Sequence, residues 1–259
     1  MTSVSRNPIQ TISHPQSIRT VFLDVGFTLL APHPSVVEIA ISVCASQGCV
    51  IDRERLTNAL PEAETTLRAM AAADTSLWSD EQAIRRLWTA YYTVLLGAVL
   101  PSDQDSERER LVTKVVEVFE HASSYRLYPD VVPALRRLRE HGLQLGVISD
   151  WGIGLGLILR HHDLIDYFDF AVVSAAVRHS KPDPALFQTA LARANAIPDY
   201  AVHVGDAYLL DVLGARAAGV TPVLLDRARR YDAGRLDCPV IHDLYALLTL
   251  LEIPHDFTE

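Results

Sequence analysis

Lysine is nearly missing from this chain: of 23 cationic side chains, only Lys114 and Lys181 are lysines. Acids number 32, leaving a formal charge of -9. An acidic, lysine-poor surface is a poor match for nucleic acid or for anionic membranes, and both drop out as partners. Cysteine is scarce too. Cys44, Cys49 and Cys238 are an odd count, too few for a disulfide framework, and they point to a reducing compartment. The Cys44/Cys49 spacing has no further Cys or His nearby to complete a zinc site, so these read as buried small residues. Long apolar runs are also absent. The longest uncharged stretches, 39–51 and 87–100, are too short to span a bilayer. Residues 1–19 carry Arg6, Arg19, Pro8 and Pro15 without an apolar centre, so no secretory signal is expected in them. They read as a flexible N-terminal arm, with a short transit peptide as the alternative, on a chain expected to be soluble and cytoplasmic.

What is present is a 259-residue chain, 49% hydrophobic and 21% charged, enough for one large domain or a core with an insertion. Residues 20–25 (TVFLDV) form a β-rich apolar run and predict a buried strand. Helical patterns then hold for about a hundred residues, at lengths usual for helices. Ser35 and Glu38 make a capping box that opens a helix ending at Gly48. Asp52 caps a second helix, with Pro61 expected to kink or split it. Ser79 and Gln82 make another capping box before a stripe of Leu87, Tyr91 and Leu95. A fourth helix covers 106–121, with Leu111, Val115, Val118 and Phe119 inward.

From residue 130 the pattern alternates. Helices are expected over 130–141, 154–161, 184–194 and 209–218, and strands over 143–149, 170–174, 201–204 and 222–225. Strands separated by helices imply an α/β fold, a doubly wound, mainly parallel Rossmann-like sheet. An all-helical insertion, residues 32–125, interrupts it after the first strand. The core is residues 20–31 and 126–259.

In such sheets ligands bind beyond the C-terminal strand ends, at a switch point. There the sequence puts Asp24, then Ser149 and Asp150, then Asp206 with Asp211 five residues on; Lys181 precedes a helix in Lys-Pro-Asp-Pro. Singly, each is an ordinary turn or cap; Asp183 and Pro184 would start a helix in any protein. Together, Asp24, Asp150, Asp206 and Asp211 bring up to four carboxylates to one crevice, with Lys181 the only cation the sequence identifies. Like charges that close require a cation, and a hard divalent ion such as Mg²⁺ suits oxygen ligands. A carboxylate network sharing protons without metal is the alternative.

The set Asp24-x-x-x-Thr28, Ser149, Lys181-Pro and Gly205-Asp206-x4-Asp211, in that order, resembles the haloacid dehalogenase superfamily. A helical insertion after the first motif is similar to its C1-capped branch, which holds phosphoglycolate phosphatases and 2-haloacid dehalogenases. The likeness runs from Thr20 to about Glu252, and its specificity lies in four motifs in order on alternating elements. It implies that Asp24 is a nucleophile forming an aspartyl-phosphate. Thr28 and Ser149 would bond the phosphoryl oxygens or the nucleophile, and Lys181 would neutralise charge. Mg²⁺ would be held by Asp24, the Gly26 carbonyl, Asp206 and Asp211, the last through water or by orienting Lys181. The implied partner is a small phosphorylated metabolite, and the implied assembly a monomer or homodimer.

One position departs from the pattern. Phosphatases of this family carry a second Asp two residues after the nucleophile, as general acid and base; here Gly26 stands there, with Phe27 where Gly is usual. General acid–base help is worth about 10²–10⁴ in rate. The leaving group then needs little protonation, or another group substitutes (Asp150 first, then His179 and Tyr208), or turnover is lost and only phosphoryl or protein binding remains. Dehalogenases also lack that Asp and need no metal, but usually have Ser or Asn in the acidic fourth motif, so Asp206 argues against them. A phosphonate hydrolase would need a cap lysine, and Lys114 reads as a solvated-face residue. His161, His162 and Asp163 read as a helix end, Trp88, Tyr91 and Tyr92 as cap core, and His33 as one cap residue placed near Asp24.

Overall fold

The structure, a computed structural model, describes residues 11–100 and 105–256. After β1 (Thr20–Leu23) the chain makes β2 (Leu30–Pro32), which pairs antiparallel with β3 (Tyr125–Leu127). Among the described residues between β2 and β3 lie four α-helices: α1 (Val36–Ser46), α2 (Arg53–Ala73), α3 (Glu81–Gly97) and α4 (Asp105–Phe119). Then follow α5 (Val131–Glu140), β4 (Gln144–Ser149), α6 (Leu155–His161), β5 (Phe170–Val173), α7 (Ser174–Val177) and α8 (Pro184–Ala194). The chain continues with β6 (Ala201–Gly205), α9 (Leu213–Ala217), β7 (Thr221–Leu225), β8 (Val240–Ile241) and α10 (Leu244–Leu250). Outside the β2–β3 pair, one six-stranded sheet has the order β5-β4-β1-β6-β7-β8, every neighbouring pair parallel. This is the expected α/β, doubly wound architecture.

β1 is buried throughout because both faces of the sheet are covered. Successive side chains point to opposite faces. Val21 and Leu23 join Leu135, Leu138, Leu155 and Leu247 on one side, while Phe22 joins Leu186 and Phe187 of α8 on the other. Each such buried side chain contributes about 1.5–3 kcal/mol. The Phe22–Phe170 ring pair, 6.2 Å between centroids, fits only because β4 has a glycine beside it. A Cβ at Gly146 would come within 2.6 Å of the Phe170 ring.

The helical insertion has a core of its own, with Leu56, Leu95, Leu96, Leu111 and Val115 at its centre. Helix α2 runs unbroken through Pro61. The ring removes one backbone donor, and Ala59 and Ala63 remain buried, so packing holds the helix across the gap. The cap of α3 is Asp80, not Ser79: its carboxylate accepts from Gln82 N (3.0 Å) and Ala83 N (3.1 Å). Ser79 Oγ is spent on the carbonyl of Ser76. The residues around that cap also fasten the insertion to the sheet. Glu81 Oε2 accepts from Ile153 N (2.8 Å), Arg178 pairs with Asp80 (2.9 Å), and Ser174 Oγ donates to the Trp78 carbonyl.

Of the arm expected over residues 1–19, residues 1–10 lie outside the described residues; Ile12 and Ile18 are buried in the core. The three cysteines are free, with Cys44 and Cys238 buried. No helix among the described residues is long and apolar enough to cross a membrane.

Candidate functional site

From β1 the chain steps outward to β4 and β5, then returns to the far side of β1 as β6. The C-terminal ends of β4, β1 and β6 therefore lie side by side, and the residues that end or follow them share one crevice.

Asp24 continues β1 by one ladder bond, its N–H donating to the Val204 carbonyl (2.9 Å). The chain then folds tightly: the Val25 carbonyl accepts from Thr28, Leu29 and Leu30, with Phe27 in the left-handed region at φ 54. This turn buries Thr28 completely and leaves its Oγ1 without a partner. From β4, Ser149 Oγ donates to Asp24 Oδ1 (3.1 Å). Lys181 reaches in from the loop before α8, a helix started as expected by Asp183 as cap and Pro184 as first residue. Its Nζ donates to Asp24 Oδ1 and to Asp211 Oδ1, both at 2.7 Å. Lys181 and Ser149 thus both load one oxygen of Asp24.

Asp211 sits on a wide turn (Tyr208–Val212) directly under the end of β6. A Cβ at Gly205 would fall 2.1 Å from its carboxyl carbon, so only glycine admits it there. Ala207 N donates to Asp211 Oδ2 (2.9 Å), and the Nε2 of His203, buried in β6, lies 2.9 Å from Oδ1. Asp206 completes the group: carboxylate oxygens of Asp24, Asp206 and Asp211 lie within 4.8 Å of one another.

These charges press on each other. Burial pushes Asp24 above the usual carboxylate range, against the pull of Lys181. Asp206 is pushed up to about 7 by burial, with Asp211 and Asp24 adding repulsion. Burial works against Asp211 as well, but Lys181 and His203 hold it well below the usual range. The same pairings keep Lys181 charged although it is buried. An all-oxygen set with this surplus of negative charge fits a hard divalent cation, which takes such carboxylates together with carbonyls and waters.

The remaining predicted residues separate. Asp150 stands beside the group rather than in it: Oδ1 accepts from Lys181 N (3.0 Å), Oδ2 is buried without a partner, and burial pushes the acid up to about 7. Thr28 does not bond the nucleophile candidate; its hydroxyl is kept unspent. Tyr208 is turned away, its hydroxyl donating to Asp237 (2.6 Å), and His179 is paired with Asp183 (2.9 Å). Lys114 lies on an exposed face with Glu117. His162 bonds the Ala122 carbonyl, and His33 is exposed. Tyr91 and Tyr92 are buried in an edge-to-face aromatic group with Trp88. Lys181 is not the only cation near the carboxylates. Arg230 pairs with Asp206 (3.0 Å), and Arg227 binds the Thr28 carbonyl. Both follow β7 in Asp-Arg-Ala-Arg-Arg, so a basic run at a strand end was the available sequence signal.

A parallel sheet that gathers a carboxylate, a serine and a paired acid at its strand ends, with a lysine from the loop before α8, is the arrangement that the resemblance of the sequence implies. The haloacid dehalogenase-like hydrolase pattern matches residues 18–219, and the chain belongs to that family. Haloacid dehalogenase-like hydrolase domain-containing protein 3 from Homo sapiens is 29% identical over 234 residues, 90% of this chain and 89% of that one. A HAD phosphatase from Thermococcus onnurineus is 26% identical, covering 91% of this chain and 99% of its own, with a TM-score of 0.61. A 2-haloacid dehalogenase from Pseudomonas syringae is 29% identical, covering 91% and 98%, with a TM-score of 0.59.

Proposed function

We propose that the chain is a Mg²⁺-dependent phosphoryl hydrolase of the C1-capped branch, acting on a small phosphorylated metabolite through Asp24. The observation that carries this reading is the clustering of the Asp24, Asp206 and Asp211 carboxylates, the first and last of them bonded to the Lys181 ammonium. A halide-displacing enzyme needs no such cation-demanding group. Asp24, Asp206, Asp211 and the Gly26 carbonyl would hold the ion, which when bound supplies charge neutralisation for the transferring phosphoryl group. Asp24 attacks phosphorus and the ester P–O bond breaks; water then cleaves the aspartyl-phosphate, releasing phosphate and restoring the carboxylate. Ser149 and the unspent Thr28 hydroxyl orient the phosphoryl oxygens, and Lys181 holds Asp24 ionised. The helical insertion covers the crevice and selects the substrate.

Phosphate release from a panel of phosphoesters and an acyl phosphate, with and without Mg²⁺, tests the reading. Metal-free halide release from a 2-haloacid would replace it with the dehalogenase. A second reading, a binding module with impaired turnover, rests on Gly26. There the nearest side chain is the Trp151 ring, not a carboxylate. The backbone admits a side chain at that place: apart from its chain neighbours a Cβ meets only Trp151, at 3.4 Å, and the backbone is not left-handed. Gly26→Asp is therefore expected to raise phosphomonoesterase turnover by about 10²-fold, the lower end of general acid–base help. An unchanged or lower rate contradicts the missing-acid account.

In the present chain Asp150 is the proposed substitute acid. Protonating a leaving alkoxide needs its neutral form, which predominates below about 7. The value of kcat/KM should then fall as pH rises through that region, and Asp150→Asn should remove this limb. A profile identical in the two proteins would eliminate Asp150 from the role.

A further inference from the structure

Arg227 belongs to none of the motifs above, yet it binds the turn that carries the first of them, Asp24 through Thr28. Its Nε and Nη2 donate to the Thr28 carbonyl at 3.1 and 2.9 Å. Nη1 pairs with Asp130 Oδ2 at 3.0 Å, and the guanidinium lies 4.0 Å above the Tyr128 ring centre. The side chain is only 12% exposed. Asp130 is itself fixed, accepting from Leu244 N at the start of α10 (2.6 Å), and Tyr128 N donates to the Leu29 carbonyl (3.1 Å). One guanidinium at the end of β7 thus ties together the turn after Asp24, the chain leaving the β2–β3 pair, and α10.

The turn needs such an anchor. It ends in a residue whose hydroxyl is buried and unpartnered, and Phe27 before it holds a left-handed backbone with a half-exposed ring. Neither feature stabilises the turn. A buried guanidinium gripping a main-chain carbonyl, with its charge matched by Asp130 and its face on an aromatic ring, is the kind of support that fixes a reacting group.

We propose that Arg227 is a positioning residue that acts through Thr28, holding its hydroxyl at the place where a phosphoryl oxygen binds. The inference rests on the phosphoryl-hydrolase reading above. A lysine keeps the charge opposite Asp130 but not the bidentate grip.

The test is a double-mutant cycle with Arg227→Lys, Thr28→Ala and the pair, read by kcat/KM for phosphate release and by calorimetric binding of inorganic phosphate with Mg²⁺. Arg227→Lys is expected to lower kcat/KM by about 10- to 100-fold and to weaken phosphate binding, since misplacing a positioned group by about 1 Å costs up to 10²-fold. In the Thr28→Ala background the same change should cost less than about 3-fold, because the group it positions is gone. Multiplying losses, or a folded Arg227→Lys protein with wild-type constants, overturns the proposal. Should Arg227→Lys fail to fold, Tyr128→Leu removes only the ring beneath the guanidinium. It should show the same non-additivity with Thr28→Ala, and additive losses there also overturn the proposal. If the wild type hydrolyses no phosphoryl compound, the functional reading fails instead, and the phosphate-binding cycle still decides whether Arg227 works through Thr28.

Discussion

Asp24→Asn is expected to abolish phosphate release, lowering kcat/KM by at least about 10⁴-fold, the scale seen when an enzyme loses its nucleophile. The amide is nearly isosteric with the carboxylate but supplies no anionic oxygen to attack phosphorus. The fold should survive. Lys181 keeps Asp211 at 2.7 Å, and removing one of three clustered acids relieves repulsion rather than creating it. Circular dichroism should match the wild type, and calorimetry should show an equal or higher Tm. Mg²⁺-dependent turnover that persists in Asp24→Asn would place the chemistry elsewhere in the chain.

The second large effect concerns Lys181. Lys181→Met fills the same space but leaves Asp24 and Asp211 buried without their ammonium; all three side chains are less than a tenth exposed. Breaking a buried ion pair by removing one partner costs about 3–5 kcal/mol. At about 2–4 °C per kcal/mol for a chain of this size, Tm should fall by roughly 10 °C. Activity should fall with it, since Asp24 loses the charge that keeps it ionised against burial. Adding Mg²⁺ should restore part of the lost Tm, because a cation among Asp24, Asp206 and Asp211 replaces some of the missing charge. A variant melting with the wild type would show that Lys181 is not the electrostatic centre of the site. Lys181→Arg should not rescue turnover: both bonds leave one Nζ, and a planar guanidinium presents its donors differently.

Much of the site was legible because its parts are locally encoded. The run ending in Asp24, the Lys-Pro-Asp-Pro start of α8 and the Gly205-Asp206 end of β6 each combine a reactive residue with a recognisable element boundary. Where local chemistry offered two answers, packing chose. Ser79 and Asp80 are both good caps, and Asp80 took the place because the Ser79 hydroxyl found the Ser76 carbonyl. Pro61 ought to break a helix on propensity, yet α2 passes through it, held by its buried face. Tyr208 lies two residues after Asp206 but turns toward Asp237 and Arg216, since the wide turn that buries Asp211 swings it outward. The β2–β3 pair and β8 escaped notice because strands of two or three residues carry no periodicity to read.

Arg227, Arg230 and His203 mark the limit. In the sequence, Arg227 is one arginine of 21, and His203 is a histidine inside an apolar strand whose partner, Asp211, lies eight residues on, behind the wide turn. Arg227 and Arg230 meet Thr28 and Asp206 only once β6 and β7 lie in order beside β1. The sequence by itself determined the residue types that carry the chemistry, the order of helices and strands, and the acid missing at position 26. These depend on side-chain identity and on periodicity over a few turns. The sheet order alone decided that Lys181 should meet Asp24 across 157 residues of chain. It also decided which carboxylate stays ionised and which arginine grips the turn that carries Thr28. Hydrogen bonds and charge pairing act over a few ångströms of space, whatever the separation along the chain.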